Sequence, residues 1–164
     1  IVLAPPTPRD VLSKPELLTR CRVGYRARTI VEASKWIVEK GGVLEELYRM
    51  NSEEVEELLK TIKGIGSYTA RLALILGLRK YDLPPIDRWL AKIIEVVYGV
   101  ERRRVEDFWR NLWREYSGLA SLAVTITLDA EPLSKAIKRI EKRLLTPILD
   151  LGKPTPMTLW KYFD

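Results

Sequence analysis

The chain has 164 residues, 46% of them hydrophobic and 30% charged, and 28 lysines and arginines against 22 acidic residues leave a formal charge of +6. That length and balance suit one soluble globular domain with a real core, and no apolar run approaches the roughly 20 residues a membrane span needs. With no histidine and one cysteine, Cys21, the chain excludes a Ser-His-Asp triad, a His-held metal, an internal disulfide and a Cys-held zinc or iron–sulfur site. Its chemistry must come from Asp, Glu, Lys, Tyr or Ser.

Prolines punctuate both ends, at Pro5, Pro6 and Pro8 and again at Pro147, Pro154 and Pro156. Between them the signals are helical, which predicts an all-α fold with a helical core over 5–150 and a Pro-rich tail over 151–164. Tyr25 to Lys40 has apolar residues at helical spacing (Ile30, Ala33, Ile37) and stops at Gly41-Gly42. Val43 to Met50 reads as a short helix. Asn51 or Ser52 caps the next, whose first turns hold Glu53, Glu54, Glu56 and Glu57, where the macrodipole favours them. That helix halts at Lys63-Gly64-Ile65-Gly66. Ser67 is expected to cap a helix to about Arg79 that is apolar on nearly every side and so belongs in the middle of the core. Pro84-Pro85-Ile86-Asp87 opens another, to about Tyr98, and three more follow over about 105–116, 119–130 and 132–145. Val124-Thr125-Ile126-Thr127 is strand-like locally, but a lone strand has no partner in so helical a chain, and it is assigned to helix.

Two features carry chemistry. Leu59 to Ala70 reads as helix, Gly-rich hairpin, helix. Its two glycines allow a tight turn, and a helix start with free amides is an anion site that suits a phosphate. The plainer reading is an ordinary turn between helices. Twenty residues separate Gly66 from Asp87, which stands after two prolines and at a helix start; alone it reads as an N-cap.

Together, at this spacing, Ile62 to Gly66, Pro84-Pro85 and Asp87 resemble the signature of the helix-hairpin-helix DNA glycosylase superfamily. Val23-Gly24-Tyr25-Arg26-Ala27-Arg28 is similar to a Gly-Tyr-Arg-Ala-Arg segment of the 8-oxoguanine DNA glycosylases. Phe108-Trp109-Arg110-Asn111-Leu112-Trp113, with Tyr116, Gly118 and Ala120, is similar to their late helix pair. The resemblance covers about three-quarters of the chain.

The resemblance implies a base-excision repair enzyme with one helix-hairpin-helix motif. It would flip a damaged purine, 8-oxoguanine favoured, out of double-stranded DNA and hydrolyse its N-glycosidic bond. Ile62, Lys63, Gly64, Ile65, Gly66 and Ser67 would hold a DNA phosphate, through a monovalent cation such as potassium or sodium, with no redox cofactor and no divalent metal. Asp87 would be the catalytic carboxylate. Tyr25 would wedge into the gap left by the flipped nucleotide, and Arg26 would contact the base left unpaired. Tyr68, Trp89, Ser121 and Thr125 would line the base pocket, with Ser121 and Thr125 standing where the 8-oxoguanine enzymes have a glutamine and a phenylalanine. Without the resemblance, Tyr25 and Arg26 read as a helix start with an exposed arginine.

The sequence also departs from the pattern. Tyr68 occupies the position of the lysine that forms a Schiff base in bifunctional members, which implies a monofunctional enzyme without lyase activity. Lys60 and Lys63 sit on the wrong side of the hairpin to replace it. A tyrosine there also occurs in thymine-mismatch glycosylases, but those usually carry a cysteine-held cluster that this chain cannot build. The helices, and in the 8-oxoguanine branch the sheet domain, that normally precede such a core have no counterpart ahead of Pro5. The chain would then be a fragment, a processed product or one half of a split enzyme, its apolar surface complemented by a second polypeptide, with Trp36, Trp89 and Trp113 as contacts if exposed. The rival readings are a non-catalytic DNA-binding subunit, or half of a split glycosylase, and an unrelated helical interaction domain.

The charge agrees with DNA. Arg79-Lys80, Arg88, Lys92, Arg102-Arg103-Arg104 and the Lys135–Arg143 segment offer phosphate-neutralising groups, although a solvated surface explains the last as well. No glutamine occurs, and only Asn51 and Asn111 represent asparagine. Such amide depletion beside abundant Lys, Arg and Glu points to a thermophilic prokaryote and a cytoplasmic, DNA-associated protein.

Overall fold

The computed structural model describes residues 5–41, 43–128 and 131–143; the expected tail over 151–164 and the end of the last expected helix lie outside them. Every regular element among the described residues is helical, as the sequence predicts. The chain divides into two compact units, Ile1–Arg79 and Lys80–Asp164.

The first unit contains α1 (Pro8–Ser13), α2 (Leu17–Arg20), α3 (Arg26–Lys40), α4 (Val43–Arg49), α5 (Ser52–Lys60) and α6 (Ser67–Leu78). The two shortest, α1 and α2, are not anticipated by the sequence pattern. A capping box starts α1: the Asp10 N–H donates to Thr7 Oγ1 at 3.3 Å and the Thr7 N–H donates to the Asp10 carboxylate at 2.9 Å. This helix packs on α3. The same device starts α5, where Asn51 accepts from the Glu54 N–H at 2.8 Å and Glu54 reaches back to the Asn51 N–H at 3.0 Å. Val55 and Leu59 then share the buried face of α5, which packs on α6.

Two expectations about α6 are corrected. Its N-cap is Gly66, not Ser67, and no side chain caps it; Gly66 keeps extended backbone (φ −105°, ψ 177°), while Ser67 is already helical. Nor does α6 run through the middle of a core. Ala70, Leu74 and Ile75 are buried, but Leu76 is 72% exposed. An all-round apolar sequence permits burial on every side; the neighbours present decide which sides receive it. At its far end the Tyr48 hydroxyl of α4 donates to the Gly77 carbonyl at 3.1 Å, and Arg79 closes the helix in a left-handed conformation.

The second unit contains α7 (Arg88–Tyr98), a 3₁₀ turn at Arg102–Arg104, α8 (Val105–Trp113), a second 3₁₀ turn at Arg114–Tyr116, α9 (Ser117–Thr127) and α10 (Leu133–Glu141). One cluster joins Leu90, Ala91 and Ile94 of α7 to Val105 and Trp109 of α8. A second joins Ile93, Leu128 and Ala136. The strand-like stretch at 124–127 is helical, as assigned. The helix expected over 105–116 breaks at Arg114 (φ 48°, ψ −126°), and the break lets α9 begin at Ser117, earlier than the pattern suggests. No helix among the described residues is long and apolar enough to cross a membrane.

Candidate nucleic-acid and catalytic site

The hairpin lies between α5 and α6, in the first unit. Thr61 ends α5, the Ile65 N–H closes a turn on the Ile62 carbonyl at 3.0 Å, and Gly64 between them takes φ +95°. Glycine is required at 64 twice over. The dihedral favours it, and a Cβ there would overlap Thr29 Oγ1. Gly66 differs: its backbone suits any residue, and a Cβ built on it would meet nothing within 4 Å. Nothing in the fold calls for glycine at 66. Its absent side chain instead leaves open the approach to the uncapped start of α6, a twelve-residue helix whose dipole favours an anion.

A buried ion pair fixes the two helices flanking this turn. Arg71 Nε donates to Glu56 Oε2 at 3.0 Å, with side chains 14% and 8% exposed. Lys60 pairs with Glu57 at 2.6 Å, and that hydrogen bond holds its ammonium above the usual lysine range. A lysine held protonated is a poor nucleophile.

Thr29 brings α3 against the hairpin, and Tyr25 and Arg26 stand about one turn earlier on the same helix. The structure therefore gathers the expected wedge residues and the hairpin at one end of α3. Tyr25 is 82% exposed, and the Arg26 guanidinium sits 4.9 Å from its ring centroid, a cation–π contact. Tyr68, in the first turn of α6, is exposed as well. Thr29 was missed in the sequence, where nothing distinguishes it from any helical threonine.

Asp87, Trp89, Ser121 and Thr125 belong to the second unit. Asp87 is the N-cap of α7, exposed, with Oδ1 accepting from the Leu90 N–H at 2.8 Å. Among the described residues its second oxygen has no protein partner. One oxygen thus fixes the carboxylate and the other faces solvent at the start of a helix.

Of the other three, Ser121 is buried and Trp89 and Thr125 are half-buried, each with its polar atom engaged. Trp89 Nε1 donates to the Glu131 carbonyl at 2.8 Å. Ser121 is 1% exposed; its hydroxyl donates to the Ser117 carbonyl at 3.0 Å and accepts from Trp109 Nε1 at 3.1 Å. Thr125 donates to the Ser121 carbonyl at 3.0 Å. A different face of α9, with Leu119, Ala123 and Val124, lines an apolar cavity of about 440 Å³ together with Ile93, Tyr98 and Trp113.

No family model matches the chain. A probable N-glycosylase/DNA lyase of Methanothermobacter thermautotrophicus is 31% identical over 106 residues, 63% of this chain and 33% of that protein. DNA-3-methyladenine glycosylase 1 of Schizosaccharomyces pombe is 36% identical over 88 residues, 50% of this chain and 37% of that one. Over these stretches the chain is similar to DNA glycosylases.

Solved glycosylase structures share its fold. MBOgg1, in complex with a low-affinity DNA ligand, superposes with a TM-score of 0.66 at 23% identity, over 83% of this chain and 45% of that one. The Clostridium acetobutylicum 8-oxoguanine glycosylase/lyase, bound to duplex DNA with cytosine opposite 8-oxoguanine, gives 0.65 at 23% identity, over 87% and 47%. Its apo form gives 0.63 at 26% identity, over 71% and 42%. The chain thus spans about a third of the curated glycosylases it matches and under half of these structures.

Proposed function

We propose that the chain is the catalytic core of a DNA glycosylase that excises a damaged base, 8-oxoguanine favoured, by hydrolysis. The observation that carries this reading is Asp87: a carboxylate anchored through one oxygen, with the other free at a helix start. The hairpin and the open start of α6 would hold the phosphate backbone. Tyr25 would fill the space vacated by the flipped nucleotide while Arg26 meets the base opposite. Flipping costs least for a damaged, weakly paired base, which is one source of selectivity.

In the reaction, the N-glycosidic electron pair leaves with the base, and positive charge develops at the sugar C1′. The Asp87 carboxylate stabilises that charge and takes a proton of the water that attacks C1′; the departing base anion is protonated from solvent and Asp87 returns its proton to solvent, leaving an abasic site and the free base. Such positioned proton transfer typically contributes 10²–10⁴-fold. Tyr68 has no amine, so no Schiff base forms at that position and the sugar–phosphate strand stays intact. A potassium or sodium ion at the hairpin suits the neutral backbone carbonyls available there; that of Ile62 spends one lone pair on the Ile65 N–H and keeps a second. The test is release of 8-oxoguanine from a duplex, with strand scission only after hot alkali. Scission without alkali, trapped by borohydride, would refute the monofunctional assignment.

A second reading has its own observation. Tyr98, Trp113, Tyr116 and Leu119 are exposed around the apolar cavity of the second unit, and a patch of this kind marks an interaction surface. In this reading the chain binds DNA and works with a further stretch of polypeptide that covers the patch. A monodisperse monomer with full base-releasing activity overturns it.

A further inference from the structure

Asp87 stands at the end of a loop that has no regular structure of its own, yet the carboxylate must hold its aim. We propose that Ser117 is a positioning residue that sets Asp87 by clamping this loop to the start of α9. The proposal rests on the reading of Asp87 as the reacting carboxylate.

Two bonds form the clamp. Ser117 Oγ donates to the Asp82 carbonyl at 2.8 Å, and the adjacent Gly118 N–H donates to the Tyr81 carbonyl at 2.6 Å. A serine at the start of a helix ordinarily turns its hydroxyl to its own first-turn amides. Here α9 has no side-chain cap, and the Ser117 hydroxyl crosses to a residue 35 positions earlier in the chain. Ser117 is wholly buried. Its carbonyl in turn accepts from Trp109 Nε1 and from the Ser121 hydroxyl, both at 3.0 Å. The clamp is therefore fixed to the packed side of α8 and α9 as well as to the loop. This also accounts for Ser121: its hydroxyl serves the network that supports Ser117.

The distance from clamp to carboxylate is short and stiff. Only Leu83-Pro84-Pro85-Ile86 separates Asp82 from Asp87. The two prolines have fixed φ, and each restricts the residue before it. Leu83, Pro84 and Pro85 are buried, and the Ile86 N–H closes on the Pro84 carbonyl at 3.0 Å. A displacement at Asp82 is thus passed to Asp87 with little slack. Asp87 is held on its far side by the Leu90 N–H.

The experiment compares Ser117→Ala and Pro84→Ala with the unaltered full chain, with Asp87→Asn as control, well below the thermal midpoint. It reads kcat and KM for base release from an 8-oxoguanine duplex and hydrogen exchange at the Leu90 amide. The expected result for both variants is a kcat lower by about ten- to a hundredfold, the size of effect that misplacing a reacting group produces. KM should stay unchanged, and the Leu90 amide should exchange faster relative to later amides of α7. Ser117→Thr, which keeps the hydroxyl, should recover kcat more than it recovers thermal midpoint. A lowered midpoint with kcat and Leu90 exchange at their original values would mean that Ser117 is structural only, and would overturn the proposal. If the unaltered chain releases no base, the glycosylase reading falls, while Leu90 exchange still decides whether Ser117 holds the loop.

Discussion

Asparagine caps a helix as well as aspartate does, and this separates the two roles open to Asp87. Asp87→Asn should keep the thermal midpoint and duplex affinity while base release falls by about 10²-fold or more; a variant that still released base would reduce Asp87 to a cap. Asp87→Ala should in addition lower stability by about 1 kcal/mol, measured by denaturant unfolding, because the Leu90 N–H loses its acceptor. The cap was legible in the sequence, since the residue type and the two prolines before it announce a helix start; the catalytic role comes from the family resemblance alone. The environment of Ser121 and Thr125 was not legible. The Ser121 hydroxyl donates to the Ser117 carbonyl and accepts from Trp109 Nε1, and the Thr125 hydroxyl donates to the Ser121 carbonyl; the Trp109 contact follows from how α8 packs on α9, which no local pattern encodes.

At the scale of elements, the two hairpin glycines should respond differently. Gly64→Ala forces an unfavourable dihedral and an overlap with Thr29, so it should lower the thermal midpoint and disturb the end of α3 that carries Tyr25 and Arg26. Gly66→Ala meets no atom of the fold; it should leave stability within about 0.5 kcal/mol while weakening duplex binding, read by fluorescence anisotropy. Equal effects of the two on stability would contradict the assignment of Gly66 to the ligand. The Glu56–Arg71 pair offers a third test. Arg71→Met leaves a buried glutamate without its guanidinium and should cost about 3–5 kcal/mol, whereas adding Glu56→Leu should restore much of it. Helix starts marked by side-chain caps, at Asn51 and Asp87, were readable because the cap and the amide that donates to it lie within one turn. The break at Arg114 was hidden, since a positive φ on an arginine leaves no mark in the sequence. The burial of α6 was hidden for another reason: apolar residues all round a helix do not say which faces will find a neighbour.

For the whole molecule, the proposed function with a charge of +6 and an open helix start predicts duplex binding driven by counterion release. The logarithm of the affinity should then fall linearly with the logarithm of salt concentration, by about 0.9 for each phosphate neutralised. Several of the expected basic residues are already paired. Lys92 and Arg102 both reach Glu95, and Arg103 reaches Glu101, so replacing Arg103 should change that slope less than replacing Lys63 in the hairpin. The amide-poor, Lys/Arg/Glu-rich composition predicts a thermal midpoint above the roughly 45–65 °C of mesophile domains; a scanning calorimetry midpoint inside that range would contradict it.

The most direct test of the central claim is single-turnover base release from a duplex carrying 8-oxoguanine opposite cytosine, at elevated temperature, for the unaltered chain and for Asp87→Asn. The account predicts free base and an alkali-labile abasic site from the first, an intact strand before alkali, and no release from the second despite equal binding. Release that survives in Asp87→Asn, or binding by both proteins with release by neither, would contradict the assignment of Asp87 as the carboxylate that breaks the glycosidic bond.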